Sequence, residues 1–288
     1  MSLPELFHHE HRFVGCLSLR RVKRLRLGET LDAGPERFAL SVSDADAIDV
    51  LAGALHFTLG DAFYLSIQTQ ALDYASLGRC PMLGEDKRCA IHEDRKPRVC
   101  SMVPFDAAFP DRLQAAVLAS RNFEENCLLA GRVQDYEIVL EQGNIAHSAY
   151  QSAVESRRAD LLADKAYFGD AVFALLRTAL LSDPSQLNRI PVDGFFSLSI
   201  VPALLTIAAY SHRCRTRCVQ YVDSQIALID SKIQQAKQRR NSADKPLTAE
   251  LAGYKTAYLQ CRQELLAASK PSPNGQAAAV EQYLGIAS

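Results

Sequence analysis

The chain has 288 residues, enough for one large domain or two smaller ones at about 150 residues each. Hydrophobic residues make up 48% and charged residues 23%, the balance of a folded globular chain, which excludes intrinsic disorder and collagen-like repeats. Lys plus Arg total 32 against 33 Asp plus Glu, a formal net charge of -1, so electrostatics over the whole molecule do not favour nucleic-acid binding. Gly 14 and Pro 12 are few for the length and, beside many Ala, Leu and Gln, favour long helices over a turn-dense sandwich.

The N-terminal stretch from Met1 to His11 has no basic segment followed by an apolar one, so no secretory signal is read and a cytoplasmic location is expected. Residues 12–27 include Arg20, Arg21, Lys23, Arg24 and Arg26, five basic residues in seven positions. They read first as a solvated face and second as a contact for phosphate or an acidic partner. From Ser43, with Asp44 and Asp46 in the first turn, Ile48, Leu51, Ala52 and Leu55 recur at helical spacing. Gly60 and Asp61 are expected to open a second helix carrying Phe63, Ile67 and Ala71 on one face.

Residues 78–110 change character. Gly78, Pro81, Gly84, Pro97, Pro104 and Pro110 accumulate around Cys80, Cys89 and Cys100, and so long a loop inside a compact domain needs a fastening other than its own apolar residues. After Asp111 helix is expected again through Cys127, with Gly131 as its cap. Further helices are expected over 133–142, 147–164, 166–182, 194–238, 247–268 and 276–284, the 194–238 segment being broken internally. The apolar run from Phe195 to Tyr210 is shorter than the about 20 residues that span a bilayer and contains Pro202, so it reads as a buried core helix. The expected architecture is mostly α: an irregular cysteine-rich metal-binding loop domain over 1–131 and a helical region over 132–288.

Eight cysteines in a reducing compartment point to metal binding or core packing rather than disulfides. Thiolates prefer soft metals, and three of them on a proline-braced loop can close around an ion that supplies the missing core energy. A fourth ligand is required, for which Cys127 is the nearest candidate in sequence, followed by Cys16 and the histidines. Cys214 and Cys218, four apart on one helix face near His212, read as core before they read as a ligand pair, and Cys261 reads as core. The His8, His9, Glu10, His11 cluster reads as solvated, with a metal contact as the alternative.

Cys80-Pro81-Met82-Leu83, then Cys89-Ala90-Ile91-His92, then Arg95, Pro97 and Cys100, then Val103-Pro104-Phe105, and finally Cys127 with Gly131 follow one another in an order that resembles a known family. It is the family of zinc- or iron-chelating cysteine-cluster (CxxCxxCC) proteins, related to flagellin lysine N-methylase. The resemblance covers roughly residues 40–130. It implies Cys80, Cys89, Cys100 and Cys127 as metal ligands and His92 in an aromatic slot, with ligation as the alternative for His92; Arg95, Arg98 and Asp106 would then hold the loop and its thiolates in place. The family's opening cysteine group is missing here, and only Cys16 stands in that neighbourhood. Either that site is lost and the four later cysteines keep the other, the favoured case, or Cys16 and an N-terminal histidine complete one rearranged site.

Successive cysteines of this set are separated by 8, 10 and 26 residues, without the close Cys-x-x-Cys pairs usual in structural zinc sites, which tilts slightly toward an iron-sulfur cluster (4Fe-4S) over Zn2+. The function expected is a metal-binding protein with a structural or redox site and a helical surface for a protein partner. An iron-sulfur, S-adenosylmethionine-dependent lysine methylase similar to the flagellin enzyme is one alternative. A helical interaction module with a remnant metal loop is another, in which residues 20–26 and 232–240 dock an acidic partner. Neither membrane insertion nor nucleic-acid binding is expected, and no catalytic residue is assigned.

Overall fold

The computed structural model describes residues 1–33, 36–120, 137–192, 194–269 and 275–286. In chain order the first elements are helix Leu3–His8 (α1), strands Val14–Lys23 (β1), Thr30–Ala33 (β2) and Glu36–Ala39 (β3), helix Val42–Leu55 (α2), and strands Phe57–Leu59 (β4) and Phe63–Leu72 (β5). Helices Arg98–Ser101 (α3) and Gln114–Ser120 (α4), strands Leu140–Glu141 (β6) and Asn144–Ile145 (β7), and helix Ser148–Asp164 (α5) follow. A π turn at Lys165–Gly169 leads into Asp170–Ser182 (α6), then Pro184–Arg189 (α7) and strand Phe196–Ser199 (β8). Helices Val201–Ala208 (α8), His212–Arg239 (α9), Lys245–Ala267 (α10) and Ala277–Tyr283 (α11) complete the chain.

Helix makes up 56% of the structure, but the fold is mixed rather than all-helical: β4, β5, β1 and β8, in that order, form an antiparallel sheet. The helix expected after Gly60 is β5. Phe63, Ile67 and Ala71 are four residues apart, an even spacing that suits one face of a strand as well as a helix. The buried run Tyr64, Leu65, Ser66, Ile67 and its aromatic and β-branched content decide for strand. Gly60, at φ 67°, supplies the left-handed residue of the β4–β5 turn, which sets Phe57 opposite Leu65. The helix expected over 133–142 is likewise absent from its described part, where β6 and β7 form a hairpin whose turn residues Gln142 and Gly143 both have positive φ. The run 195–210 divides into β8 and α8, and α8 buries Ala203, Leu204, Ile207 and Ala208. Among the described residues no helix is long and apolar enough to cross a membrane.

The chain forms two compact units, the first comprising Met1–Arg20, Ile67–Lys96 and Ala163–Ser288, the second Arg21–Ser66 and Pro97–Leu162. The boundary expected near 131 lies outside the described residues. The first unit is built on the hairpin of α9 and α10. Along α10 the buried residues Leu251, Tyr254, Tyr258, Cys261 and Leu265 repeat at three and four, the spacing that keeps one seam facing a partner helix. On α9 they are Cys214, Cys218, Tyr221, Val222, Gln225, Ile229 and Ala236. Ser211 caps α9 by accepting the Cys214 N–H at 3.1 Å, and Arg240 ends it in the left-handed region at φ 54°. Against this hairpin lie α1 and the first part of β1: Gln225 accepts the Gly15 N–H at 2.9 Å and donates to the carbonyls of Glu10 and Phe13.

The second unit has a core of Leu55, Met102, Phe105, Ala107, Ile145, Val154 and Leu161, and a smaller cluster of Leu40, Ile48 and Leu113. Its helix α2 starts two residues earlier than expected. Ser41 accepts the Asp44 N–H at 3.2 Å and Asp44 accepts the Ser41 N–H at 3.0 Å, a reciprocal capping box. The basic run is mostly engaged: Arg24 makes a two-pronged bridge to Asp49 (3.0 and 2.9 Å), Lys23 pairs with Glu29 at 3.1 Å, and Arg21 lies over the Phe63 ring.

Candidate functional site

In the first unit, the segment carrying Cys80 and Cys89 is a compact knuckle. Gly78, in the left-handed region, ends a 3-10 turn at Ala75–Leu77. The Cys80 carbonyl then accepts the Leu83 N–H at 3.0 Å, Leu83 pairs with Cys89 in an antiparallel bridge, and the Gly84 N–H donates to the Arg88 carbonyl at 2.8 Å. The Ala90 N–H closes the structure onto the Met82 carbonyl at 2.7 Å. Cys80 is exposed and Cys89 half-buried. Ile91, 3% exposed, is the apolar anchor of this stretch.

The end of the same loop is held by α1 and the residues after it. His8 Nε2 lies 3.1 Å from Asp94 Oδ1, Arg12 Nη1 lies 2.9 Å from Asp94 Oδ2, and His9 Nε2 donates to the Arg95 carbonyl at 3.0 Å. Arg95 itself has φ 48°. Burial lowers the His9 imidazole below its ordinary range, opposed by the Arg95 hydrogen bond, so His9 is neutral at pH 7 with its proton on Nε2. The hydrogen bond from His8 and the charge of Arg12 hold the Asp94 carboxyl below the usual carboxylate range. One ring nitrogen of each histidine and a carboxylate oxygen of Asp94 lie within 4.8 Å of one another, the one group of three candidate metal ligands among the described residues. No cysteine belongs to it. The residues 8–11 expected to be solvated are therefore divided: His9 is buried, and His8 is hydrogen-bonded to Asp94. Asp94 carries no local sequence signal, because its partners are 86 residues away.

Cys100 lies in the second unit on α3, exposed, with its N–H on the Pro97 carbonyl at 2.8 Å. Arg98 of the same helix is paired with Asp160 of α5, and Asp106 accepts the Ala108 N–H at 2.9 Å. Cys127 and Gly131 lie outside the described residues. Cys16 is fully buried in β1 opposite Ser199, and burial pushes its thiol up to about 12. Cys214, Cys218 and Cys261 are buried in the hairpin, and burial raises each of their thiols above the ordinary range.

A second candidate surface lies at the turn of the α9–α10 hairpin. Here a groove of about 650 Å3 has a floor of Ile233, Ala236, Ala249 and Ala252 and a rim carrying Lys237, Arg240 and Lys245. Elsewhere on the same helices the cations are satisfied: Lys232 by Asp73 (2.5 Å), Arg239 by Asp244 (2.8 Å) and Lys255 by Asp230 (2.6 Å). Among the described residues the three rim cations make no salt bridge.

No protein-family model, no curated protein and no solved structure matches this chain.

Proposed function

We propose that this is a metal-binding protein, with zinc or an iron-sulfur cluster held by Cys80, Cys89, Cys100 and Cys127, and with a partner-binding surface on the α9–α10 hairpin. The observation that carries the reading is the division of the cysteines. Cys16, Cys214, Cys218 and Cys261 are buried, as free cysteine usually is, whereas Cys80, Cys89 and Cys100 stand at or near the surface. A thiol kept out of the core on a tightly hydrogen-bonded loop has no packing role there and suits a soft metal. The motif order that resembles the cysteine-cluster family supports the same set. Bound zinc would brace the loop, and a cluster would add electron transfer. Neither donor type assigns a substrate, so the methylase alternative gains nothing from these residues.

The partner surface rests on the groove. Alanines in its lining let a helix approach closely, and Lys237, Arg240 and Lys245, which make no salt bridge among the described residues, complement an acidic, amphipathic helical segment of a partner protein.

The test is elemental analysis and the visible spectrum of protein purified without oxygen, beside the Cys100→Ser variant. Iron, sulfide and a broad visible absorbance lost in the variant would identify a cluster, and one equivalent of zinc lost in the variant a structural site. Protein with neither metal would overturn the proposal and leave a remnant loop on an interaction module.

A further inference from the structure

We infer a second, thiol-free metal site formed by His8, His9 and Asp94, suited to a borderline divalent ion of the zinc class. It uses none of the cysteines of the proposed function and stands or falls separately from them. The three donors come from two segments far apart in sequence and lie within 4.8 Å of one another. His8 Nε2 and Asp94 Oδ1 are 3.1 Å apart, close to the edge of about 3.3 Å that two donors span when each is about 2.0 Å from a tetrahedral zinc. The His9 ring is arranged as ligating histidines are. Its Nε2 proton is committed to the Arg95 carbonyl at 3.0 Å, which fixes the tautomer and leaves the electron pair on Nδ1. The Asp94 carboxylate is aimed in the same way, since Arg12 takes Oδ2 at 2.9 Å and leaves Oδ1 toward His8.

The donor chemistry selects the ion. Two imidazoles and one carboxylate suit zinc, cobalt or nickel, whereas calcium and magnesium require oxygen donors. Three protein ligands leave a fourth position open to water, the pattern of accessible rather than closed zinc sites. The Arg12 guanidinium beside the carboxylate repels a cation and sets the affinity below that of a dedicated structural site. Because Asp94 and Arg95 end the loop that carries Cys89, an ion here would pin that loop to α1 more firmly than the present ion pairs do.

The experiment is titration of tag-free, metal-stripped full-length protein with Co2+, followed in the visible and near-ultraviolet, for the wild type, His8→Ala, Asp94→Asn and a Cys80→Ser/Cys89→Ser/Cys100→Ser variant. The expected result is one equivalent of cobalt with weak ligand-field bands that survives the cysteine substitutions. His8→Ala and Asp94→Asn should each weaken it at least tenfold. His8 and Asp94 both reach solvent, with 31% and 49% of their side chains exposed, so both variants should fold, which circular dichroism verifies. A His9→Gln variant, which keeps a donor for the Arg95 carbonyl, gives the same readout at the third ligand. Cobalt bound only with an intense thiolate charge-transfer band and indifferent to His8 and Asp94 would overturn this inference while upholding the thiol site. Absence of any cobalt uptake by the cysteine variant would overturn it as well.

Discussion

Gly15 and Tyr221 are in a contact that leaves no room for a side chain at position 15: a β-carbon there would lie 2.1 Å from the Tyr221 hydroxyl oxygen and 3.1 Å from Leu6 Cδ1. Tyr221 is fully buried on α9, with Tyr258 as the neighbour of its hydroxyl. The Gly15 backbone is pinned from both sides, its N–H on Gln225 and its carbonyl accepting from Tyr258 of α10 at 3.1 Å, so β1 cannot shift away. Gly15→Ala is therefore expected to cost about 2–3 kcal/mol by overpacking. Tyr221→Phe removes the clashing oxygen and with it only the contact with Tyr258, whose hydroxyl keeps the Gly15 carbonyl, so alone it should cost about 1 kcal/mol or less. Urea unfolding of both single variants and the double variant checks the pair. The double variant should recover most of the loss, and simple additivity of the two would show that the contact is not the cause.

Gln225 satisfies three backbone groups with one buried amide, those of Gly15, Glu10 and Phe13, and is itself 0% exposed. Gln225→Leu preserves much of the volume but leaves an N–H and two carbonyls without that partner in an apolar setting. The expected loss is about 3 kcal/mol, the scale of orphaned buried polar groups. Amide hydrogen exchange at Gly15 should accelerate in parallel, and an unchanged exchange rate there would place the role of Gln225 elsewhere.

The buried thiols give the protein an alkaline limit. Burial holds the proton on Cys16 and Cys261 up to about 12 in the folded chain, whereas the unfolded chain releases it near 9.0. Between those values the folded state binds more protons, so the contribution is fully present below pH 9 and declines as pH rises through the window, by about 1.4 kcal/mol per pH unit for each thiol. Cys16→Ala should reduce that slope by about half a proton at pH 9 and about nine-tenths of a proton at pH 10, even though it lowers stability overall. The same division governs reactivity. In metal-stripped protein at pH 8, maleimide should modify Cys80, Cys89 and Cys100 while Cys16, Cys214, Cys218 and Cys261 stay silent until unfolding, as peptide mass mapping would record.

What was legible in the sequence was set by the range of the signal. The helices α5, α6, α10 and α11 and the end of α9 follow from local apolar spacing and from breakers such as Pro184 and the Asn241 to Pro246 stretch, and they lie within a few residues of expectation, whereas the start of α9 at His212 falls inside the segment expected over 194–238. The sheet was not legible, because Phe63, Ile67 and Ala71 satisfy two periods at once and the partner strands of β5 lie far away in sequence. At the site, the cysteines announce themselves by residue type alone. The contacts of Asp94 and Arg95 with His8 and His9 are invisible, since nothing local marks a pairing across 86 residues. Residues 78–110 read, from their length and proline content, as a loop that needs a fastening other than its own apolar residues, but part of what holds them is their own core: Met102, Phe105 and Ala107 are buried in the second unit.

That core is reinforced by polar groups that no metal supplies, which yields the last prediction. Gln114, 0% exposed, accepts the Asp106 N–H at 3.0 Å and donates to the carbonyls of Asp106 (2.8 Å) and Phe109 (3.0 Å). Arg158 of α5 donates to the carbonyls of Ala107 (3.1 Å) and Phe109 (2.6 Å) and pairs with Asp111 at 2.8 Å. The two side chains together hold the loop that follows Cys100 and Pro104. Gln114→Leu should cost about 2–3 kcal/mol by orphaning these backbone groups. Because Arg158 still donates to the Phe109 carbonyl in that variant, the double variant with Arg158→Ala should lose more than the sum, the carbonyl then having neither donor. The loss from Gln114→Leu should also be the same in metal-stripped and metal-loaded protein, measured by urea unfolding, since the clamp contains no metal ligand. A loss that appeared only after chelation would mean that the bound ion, rather than Gln114 and Arg158, holds residues 105–111 in place.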